Sequence, residues 1–382
     1  MNFTHTEEQN MVRQTIREFA EKELAPGVAE RDEKEIFPKE ALQKLAELGF
    51  WAVNVKEENG GSGLDMVSYA IAVEELSRID PSTGIVISVH NSLVAYPIEL
   101  FATPDQIDRF LRPMCAGEKL GAFALTEPGS GSDAGAMKTT AVKDGDHYVL
   151  NGTKNFITTG ANCDIMLISC VTDASLGSKG TSAFLVEKGT PGFNVGKHER
   201  KLGIRATDTV SIILEDCRVP AENMLGVEGA GFKVALSALN SGRIGVASQA
   251  LGIAQASLDE SIKYSLERKQ FDKPIAAFQA TQFKIARMKM ETDAARLLLY
   301  RAAAKKDAHE NFVQEAAIAK LFCSEVAVKS ALEAIQIHGG YGYVKEYPVE
   351  RFLRDSKITT IYEGTNEVMH LVIAEGLLGR FR

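Results

Sequence analysis

Three short stretches of the chain carry the residues best suited to chemistry. In Ile361-Tyr362-Glu363-Gly364-Thr365-Asn366-Glu367 a carboxylate stands among apolar neighbours and is followed by a glycine. Burial there would disfavour the charged form and lift the carboxyl toward the range of a useful general base. The competing reading is a solvated glutamate, the usual fate of this residue type. Leu125-Thr126-Glu127-Pro128-Gly129-Ser130-Gly131-Ser132-Asp133 is a run of small residues. Its glycines let a backbone approach a ligand closely, and Thr126 and Ser132 bring hydroxyl donors. A plain surface turn competes, because neither GxGxxG nor the lysine of a P-loop is present. Gln336-Ile337-His338-Gly339-Gly340-Tyr341-Gly342 closes a helical pattern. It either turns N–H groups toward a phosphate or simply caps the helix.

These stretches need elements to position them, and 382 residues are too many for one ordinary core. Periodicity divides the chain into three zones, 1–120, 121–228 and 229–382. The first reads as all-helical. Thr6-Glu7-Glu8-Gln9 has the capping-box form, and Val12, Ile16 and Phe19 follow at helical spacing. Pro38 precedes Ala41, Leu42, Leu45 and Leu48, with Gly49 as the stop, and the Gly-rich loop 59–63 leads into a further helix at 67–76. The second zone predicts strands at 148–150, 165–171, 182–186 and 209–214, with turns at Asn151-Gly152, 189–192 and 216–223. That spacing suits a small antiparallel sandwich or barrel. In the third zone Ala247, Leu251, Ala254, Leu258 and Ile262 form one helical stripe, and Phe283, Ala286, Met290, Ala294 and Leu297 a second. Leu321, Val328, Ala331 and Ile335 mark a third, and long amphipathic helices of this kind imply a bundle. The expected fold class is multi-domain α+β.

A formal charge of −8 argues against a nucleic-acid partner, which needs a basic footprint, and disfavours a membrane surface. Residues 1–9 hold no apolar or Arg/Ser-rich leader, and no later run is expected to reach the roughly 20 apolar residues of a membrane span. The five cysteines are scattered without a CxxC pair, so neither a disulfide framework nor a zinc site is encoded. A reducing compartment is expected: the cytoplasm, or the mitochondrial matrix if the chain is a processed form.

Taken in order, LTEPGSGSD, NGTKNFITTG, ERKQF, QIHGGYGY and IYEGTNE closely resemble the motifs of the acyl-CoA dehydrogenases, and the resemblance runs essentially end to end. It is closest to the short-chain, butyryl-CoA type. It implies an N-terminal helical domain, a middle β domain and a C-terminal four-helix bundle. FAD would lie between the last two and reach across a subunit interface of a homotetramer, a dimer of dimers. The implied reaction is α,β-dehydrogenation of a short-chain acyl-CoA to the trans-2-enoyl-CoA, with hydride passing to flavin N5 and electrons leaving to electron-transfer flavoprotein.

Carried over residue by residue, the resemblance puts Phe123, Leu125, Thr126 and Ser132 against the flavin and its ribityl-pyrophosphate, with Ser132 also near substrate. Phe156, Ile157 and Thr158 would lie beside the isoalloxazine. Arg268, Phe271, Phe278 and Gln279, with Gln336, Ile337, His338, Gly339 and Gly340, would hold the neighbouring subunit's dinucleotide, and Thr365 and Glu367 would close the adenosine side. Glu363 matches the catalytic base. Other branches place that base at the position of Gly242, where a glycine cannot serve. Asn240, Arg243 and Gly364 would meet substrate, with Arg243 orienting Glu363; a helix-surface ion pair is the other reading of Arg243. Phe156 and Phe123 stand where Trp and Tyr are common, and Asn240 where Asp is. Residues 89–96 would line the acyl end, where Tyr96 shortens the pocket. Medium- or branched-chain specificity, an oxidase, a non-catalytic scaffold of the same fold and an unrelated helical interaction protein are the alternatives.

Overall fold

A computed structural model of the chain describes residues 4–379, so the first three residues of the segment searched for a leader lie outside it. Helix α1 (Glu7–Phe19) starts at the expected capping box: Gln9 N–H donates to Thr6 Oγ1 and Thr6 N–H to Gln9 Oε1, both at 3.1 Å. Its stripe of Val12, Ile16 and Phe19 is buried. In α2 (Lys39–Glu47) Leu42 and Leu45 face inward, whereas Leu48 lies past the helix end and is half exposed. Helix α3 (Met66–Ile79) is capped by Asp65, which accepts from Ser68 N–H at 2.6 Å. The helical run α4 (Pro81–Phe101) widens into π-helical turns over Val89–Ala95. By length and composition α4 is long and apolar enough to cross a membrane, contrary to expectation, but 78% of its apolar window is buried inside the protein. It is a core helix.

The middle of the chain forms a sheet of eight strands: β1 (Gly121–Ala124), β2 (Thr140–Asp144), β3 (His147–Thr158), β4 (Ile165–Val171), β5 (Thr181–Glu187), β6 (Phe193–His198), β7 (Thr209–Pro220) and β8 (Met224–Leu225). Their order is β6-β7-β3-β2-β4-β5-β8, with β1 also on β4. The sheet is not wholly antiparallel, because β1 and β2 pair in parallel with β4. The connections from both to β4 are crossovers rather than tight hairpins, which only antiparallel neighbours can use. Strands β1, β2, β6 and β8 are additional to those expected. Asn151-Gly152 is not a turn: β3 runs through it, with a register shift against β7 that marks a bulge. Gly152 has φ 148°, and a Cβ there would sit 2.6 Å from Thr139 Oγ1. Nor is 216–223 all turn, since β7 continues to Pro220 past a left-handed Asp216. The turn at 189–192 is present, with positive φ at Gly189 and Gly192.

Five helices follow: α5 (Gly231–Glu267), α6 (Gln279–Asp307), α7 (Val313–His338), α8 (Val349–Ile358) and α9 (Asn366–Leu378). Their main apolar cluster also includes α1 and α3, so the N- and C-terminal helices share one core. On α5, Ala247, Leu251, Ala254 and Leu258 are buried as the spacing predicts, while Ile262 is partly exposed. The stripe expected on α6 faces the other way. Phe283, Met290 and Leu297 are 68%, 63% and 52% exposed, and Met288, Ala295, Leu299, Ala302 and Ala303 turn to the core instead. Small residues let α6 pack closely on its neighbours, which leaves its large apolar residues on the outer face.

Candidate active site

After α8 the chain reverses through two consecutive left-handed residues, Glu363 (φ 53°) and Gly364 (φ 95°), before Thr365 caps α9 by accepting from Val368 N–H at 3.3 Å. A non-glycine residue in this region is uncommon and costs energy that surrounding contacts must offset. Here they are specific. Fully buried Lys320 of α7 donates to Gly364 O at 2.8 Å and to Asn366 Oδ1 at 3.0 Å, and Tyr362 Oη donates to Gln249 Oε1 of α5.

The turn lays the Glu363 carboxylate on α5 where that helix has no side chain. A Cβ on Gly242 would lie 1.9 Å from Glu363 Oε2. That oxygen is buried and has no hydrogen-bond partner among the described residues. Burial pushes the Glu363 carboxyl up to about 8, against the opposing charges of Lys320 and Arg243. Arg243 is itself buried and donates to Asn240 Oδ1 at 2.7 Å, so it is not a helix-surface ion pair. Its Nε is buried without a partner among the described residues, and burial lowers its pKa despite the nearby charge of Glu363. Glu363, Gly364 and Arg243 are therefore brought together beside Gly242, with Asn240 held by Arg243 and Thr365 capping the helix that follows. Leu93 of α4 forms part of the floor, its Cδ2 being 2.7 Å from the same Cβ position.

The loop 125–133 is held by a buried ion pair that the sequence reading did not single out. Lys154 Nζ donates to Glu127 Oε1 at 2.8 Å and to Leu125 O at 3.1 Å. Glu127 also accepts from Lys138 N–H at 2.6 Å and Thr139 N–H at 2.9 Å. Burial alone would raise the Glu127 pKa, but these partners outweigh it and hold the carboxyl below its ordinary value. Phe123 is half-buried, and Leu125 packs on Met137 and on Ala235 of α5. Phe156 stands out at φ 57° with 61% exposure. The Ile157 side chain points into the sheet core, which leaves its backbone for any ligand contact. Among the described residues, the hydroxyls of Thr126, Ser132 and Thr158 have no intramolecular partner.

A separate cleft of about 470 Å³ brings Arg268 together with Ile337, His338, Gly339 and Gly340. The Arg268 guanidinium lies 5.4 Å from the centre of the Tyr341 ring. The His338 imidazole is engaged in packing, stacked on Tyr264 at 4.1 Å with Nδ1 at 2.8 Å from Ala334 O. Gln336 is exposed outside this cleft. Phe271, Phe278 and Gln279 also lie outside it; Phe271 is 86% exposed and meets Phe278 edge-on at 6.0 Å. Glu367 is exposed in the first turn of α9.

Family models for the acyl-CoA dehydrogenase N-terminal, middle and C-terminal domains match residues 6–118, 122–217 and 229–378. Mitochondrial short-chain specific acyl-CoA dehydrogenase of Mus musculus is 51% identical over 376 residues, covering 98% of this chain and 91% of its own. Butyryl-CoA dehydrogenase from Megasphaera elsdenii superposes with a TM-score of 0.98 at 49% identity, over 99% of this chain and 100% of that one. A chain from structural work on the electron transferring flavoprotein of Acidaminococcus fermentans and flavin-based electron bifurcation gives a TM-score of 0.98 at 50% identity, over 100% of both. Three matched domains and half-identical relatives along nearly the whole length place this chain in the acyl-CoA dehydrogenase family.

Proposed function

We propose that the protein oxidises a short-chain acyl-CoA to the trans-2-enoyl-CoA with FAD as cofactor, and that Glu363 is the base that removes the α-proton. The observation that carries this is the Glu363 Oε2 atom, buried without a partner against Gly242. An α-C–H beside a thioester is a weak acid, so its base must be desolvated and raised in pKa, as Glu363 is. Gly242 leaves no competing base at this point of α5. Arg243 and Asn240 orient the carboxylate and the substrate, and Leu93 with Tyr96 bounds the acyl end.

The residues present fit FAD. Thr126, Ser132 and Thr158 have free hydroxyls, Phe156 offers a ring face, and the cleft at Arg268 supplies a cation beside the open backbone of Gly339 and Gly340. Bound FAD supplies the acceptor for the hydride that leaves the β-carbon. Phe123, Leu125 and the backbone of Ile157 line the flavin side. Arg268, Phe271, Phe278, Gln279 and the stretch 336–340 serve a neighbouring subunit's cofactor, with Thr365 and Glu367 on the adenosine side. This requires at least a second subunit, and the bare apolar faces of α6 and α9 leave surface for the homotetramer expected of the family. The units of the chain are 1–120, 121–228 and 229–382. Electron-transfer flavoprotein is the electron acceptor, in keeping with the Acidaminococcus likeness. The relatives include bacterial and mitochondrial proteins, and we assign this one to the cytoplasm.

Anaerobic mixing with butyryl-CoA, octanoyl-CoA and isobutyryl-CoA tests the reading through the flavin absorbance. Butyryl-CoA should bleach it fastest, and Glu363→Gln should keep the yellow cofactor yet slow bleaching by at least about a hundredfold. A faster octanoyl-CoA reaction would move the substrate class, and wild-type bleaching by Glu363→Gln would remove the base.

A further inference from the structure

We propose that Lys320 is a positioning residue for proton transfer: it anchors the Glu363–Gly364 turn through the Gly364 carbonyl and places a positive charge beside Glu363 that favours its ionisation. The inference rests on the reading of Glu363 as the base.

Lysines are almost never fully buried unless a carboxylate pairs with them. Lys154 follows that rule with Glu127 at 2.8 Å. Lys320 does not. It is fully buried, and its Nζ donates to two neutral oxygens, Gly364 O at 2.8 Å and Asn366 Oδ1 at 3.0 Å. Asn366 Oδ1 is further fixed by Ser324 Oγ at 3.1 Å. These contacts hold the cation beside the catalytic turn without neutralising it.

The separation matters. A contact ion pair would favour the ionised carboxylate strongly, drop its pKa and blunt it as a base. No cation at all would leave burial unopposed and keep Glu363 protonated. The Gly364 carbonyl holds Lys320 between these extremes. Because that carbonyl belongs to the residue after Glu363, one hydrogen bond fixes both the backbone of the turn and the charge beside it. Burial lowers the Lys320 pKa to about 8, opposed first by the charge of Glu363, so each group supports the charged form of the other. The remaining groups that face the pair are Arg243 on α5, Glu367 at the start of α9, and the phenols of Tyr362 and of Tyr69 on α3.

The test is the pH dependence of kcat/KM for butyryl-CoA in the FAD-loaded enzyme, which reports the free enzyme's base. Activity rises with pH as Glu363 loses its proton. Lys320→Met should move that rise upward by about one pH unit, the low end of what a neighbouring charge is worth. The loss would then be about tenfold on the acid side and largely recovered at high pH. Asn366→Asp keeps the lysine but places a carboxylate on its Nζ, and should move the rise in the same direction. Lys320→Arg retains the charge and should leave the rise in place even if the plateau falls. A plateau lowered equally at every pH in Lys320→Met, with the rise unmoved, would reduce Lys320 to a packing residue. If Lys320→Met does not fold, an unmoved rise in Asn366→Asp overturns the proposal. Glu363→Gln is measured alongside. Wild-type turnover there defeats the assignment of the base itself, whereas lost turnover there with an unmoved rise in Lys320→Met defeats only the role of Lys320.

Discussion

Gly242→Ala would put a methyl group 1.9 Å from Glu363 Oε2 and 2.7 Å from Leu93 Cδ2, so the carboxylate or the floor beneath it must shift. We expect kcat/KM to fall by about a hundredfold, the cost of roughly 1 Å of misplacement, with flavin content unchanged. Steady-state assay and flavin absorbance separate the two. The same carboxylate makes stability depend on pH. Its folded value of about 8 lies above the ordinary 4.5, so the folded chain holds this proton more tightly than the unfolded one. That advantage is complete below pH 4.5 and is lost as pH rises through about 8. Glu363→Gln should therefore raise Tm more at pH 9 than at pH 5, by on the order of a few °C, in calorimetry of the holoenzyme. At this scale the sequence was partly legible. Glu363 stood in a recognisable motif, and Gly242 could be read as the lack of a second base. That Gly242 makes the space for Glu363 depends on a helix and a turn far apart in the chain. Lys320 and Lys154 gave no signal, because a lone lysine on a helix or strand is ordinarily a solvated one.

The loop that carries Thr126 and Ser132 owes its shape to Glu127 and Lys154, which join it to β3. Lys154→Met leaves Glu127 buried and unpaired, a loss of about 3–5 kcal/mol where no relaxation relieves it. The thermal midpoint should drop and FAD should dissociate more readily, both measurable by flavin fluorescence on heating. Since the Glu127 pKa is held below its ordinary value, the pair's contribution is present at neutral pH and fades as the solution turns acid. The strands around the loop were found where apolar and β-branched residues are dense, as in β4 and β5. Asn151-Gly152 misled because a glycine that serves a bulge beside Thr139 has the same local composition as one that serves a hairpin turn. Short β1 and β6 lack a long alternating pattern, and β1 is held by parallel pairing with a distant strand.

Across the whole molecule, the succession of helices, sheet and helices follows from the change of hydrophobic period, and the structure has that α+β organisation. The direction of a stripe is another matter. Periodicity identified Phe283, Met290 and Leu297 as one apolar face of α6, but it does not say whether the chain's own core or a second copy covers that face. Met290→Glu should shift the assembly toward smaller species in light scattering and, on the proposal that Arg268 and Phe271 serve a neighbour's cofactor, lower flavin retention with it. The hairpin β9 (Lys269–Gln270) and β10 (Lys273–Pro274) holds Phe271 at its tip, 86% exposed on a left-handed backbone. On the proposed role of Phe271 in a neighbour's cofactor site, that ring is an adhesive spot on a freshly synthesised subunit until a flavin and a sister chain cover it. The interval between translation and assembly is thus when this protein is most prone to clump.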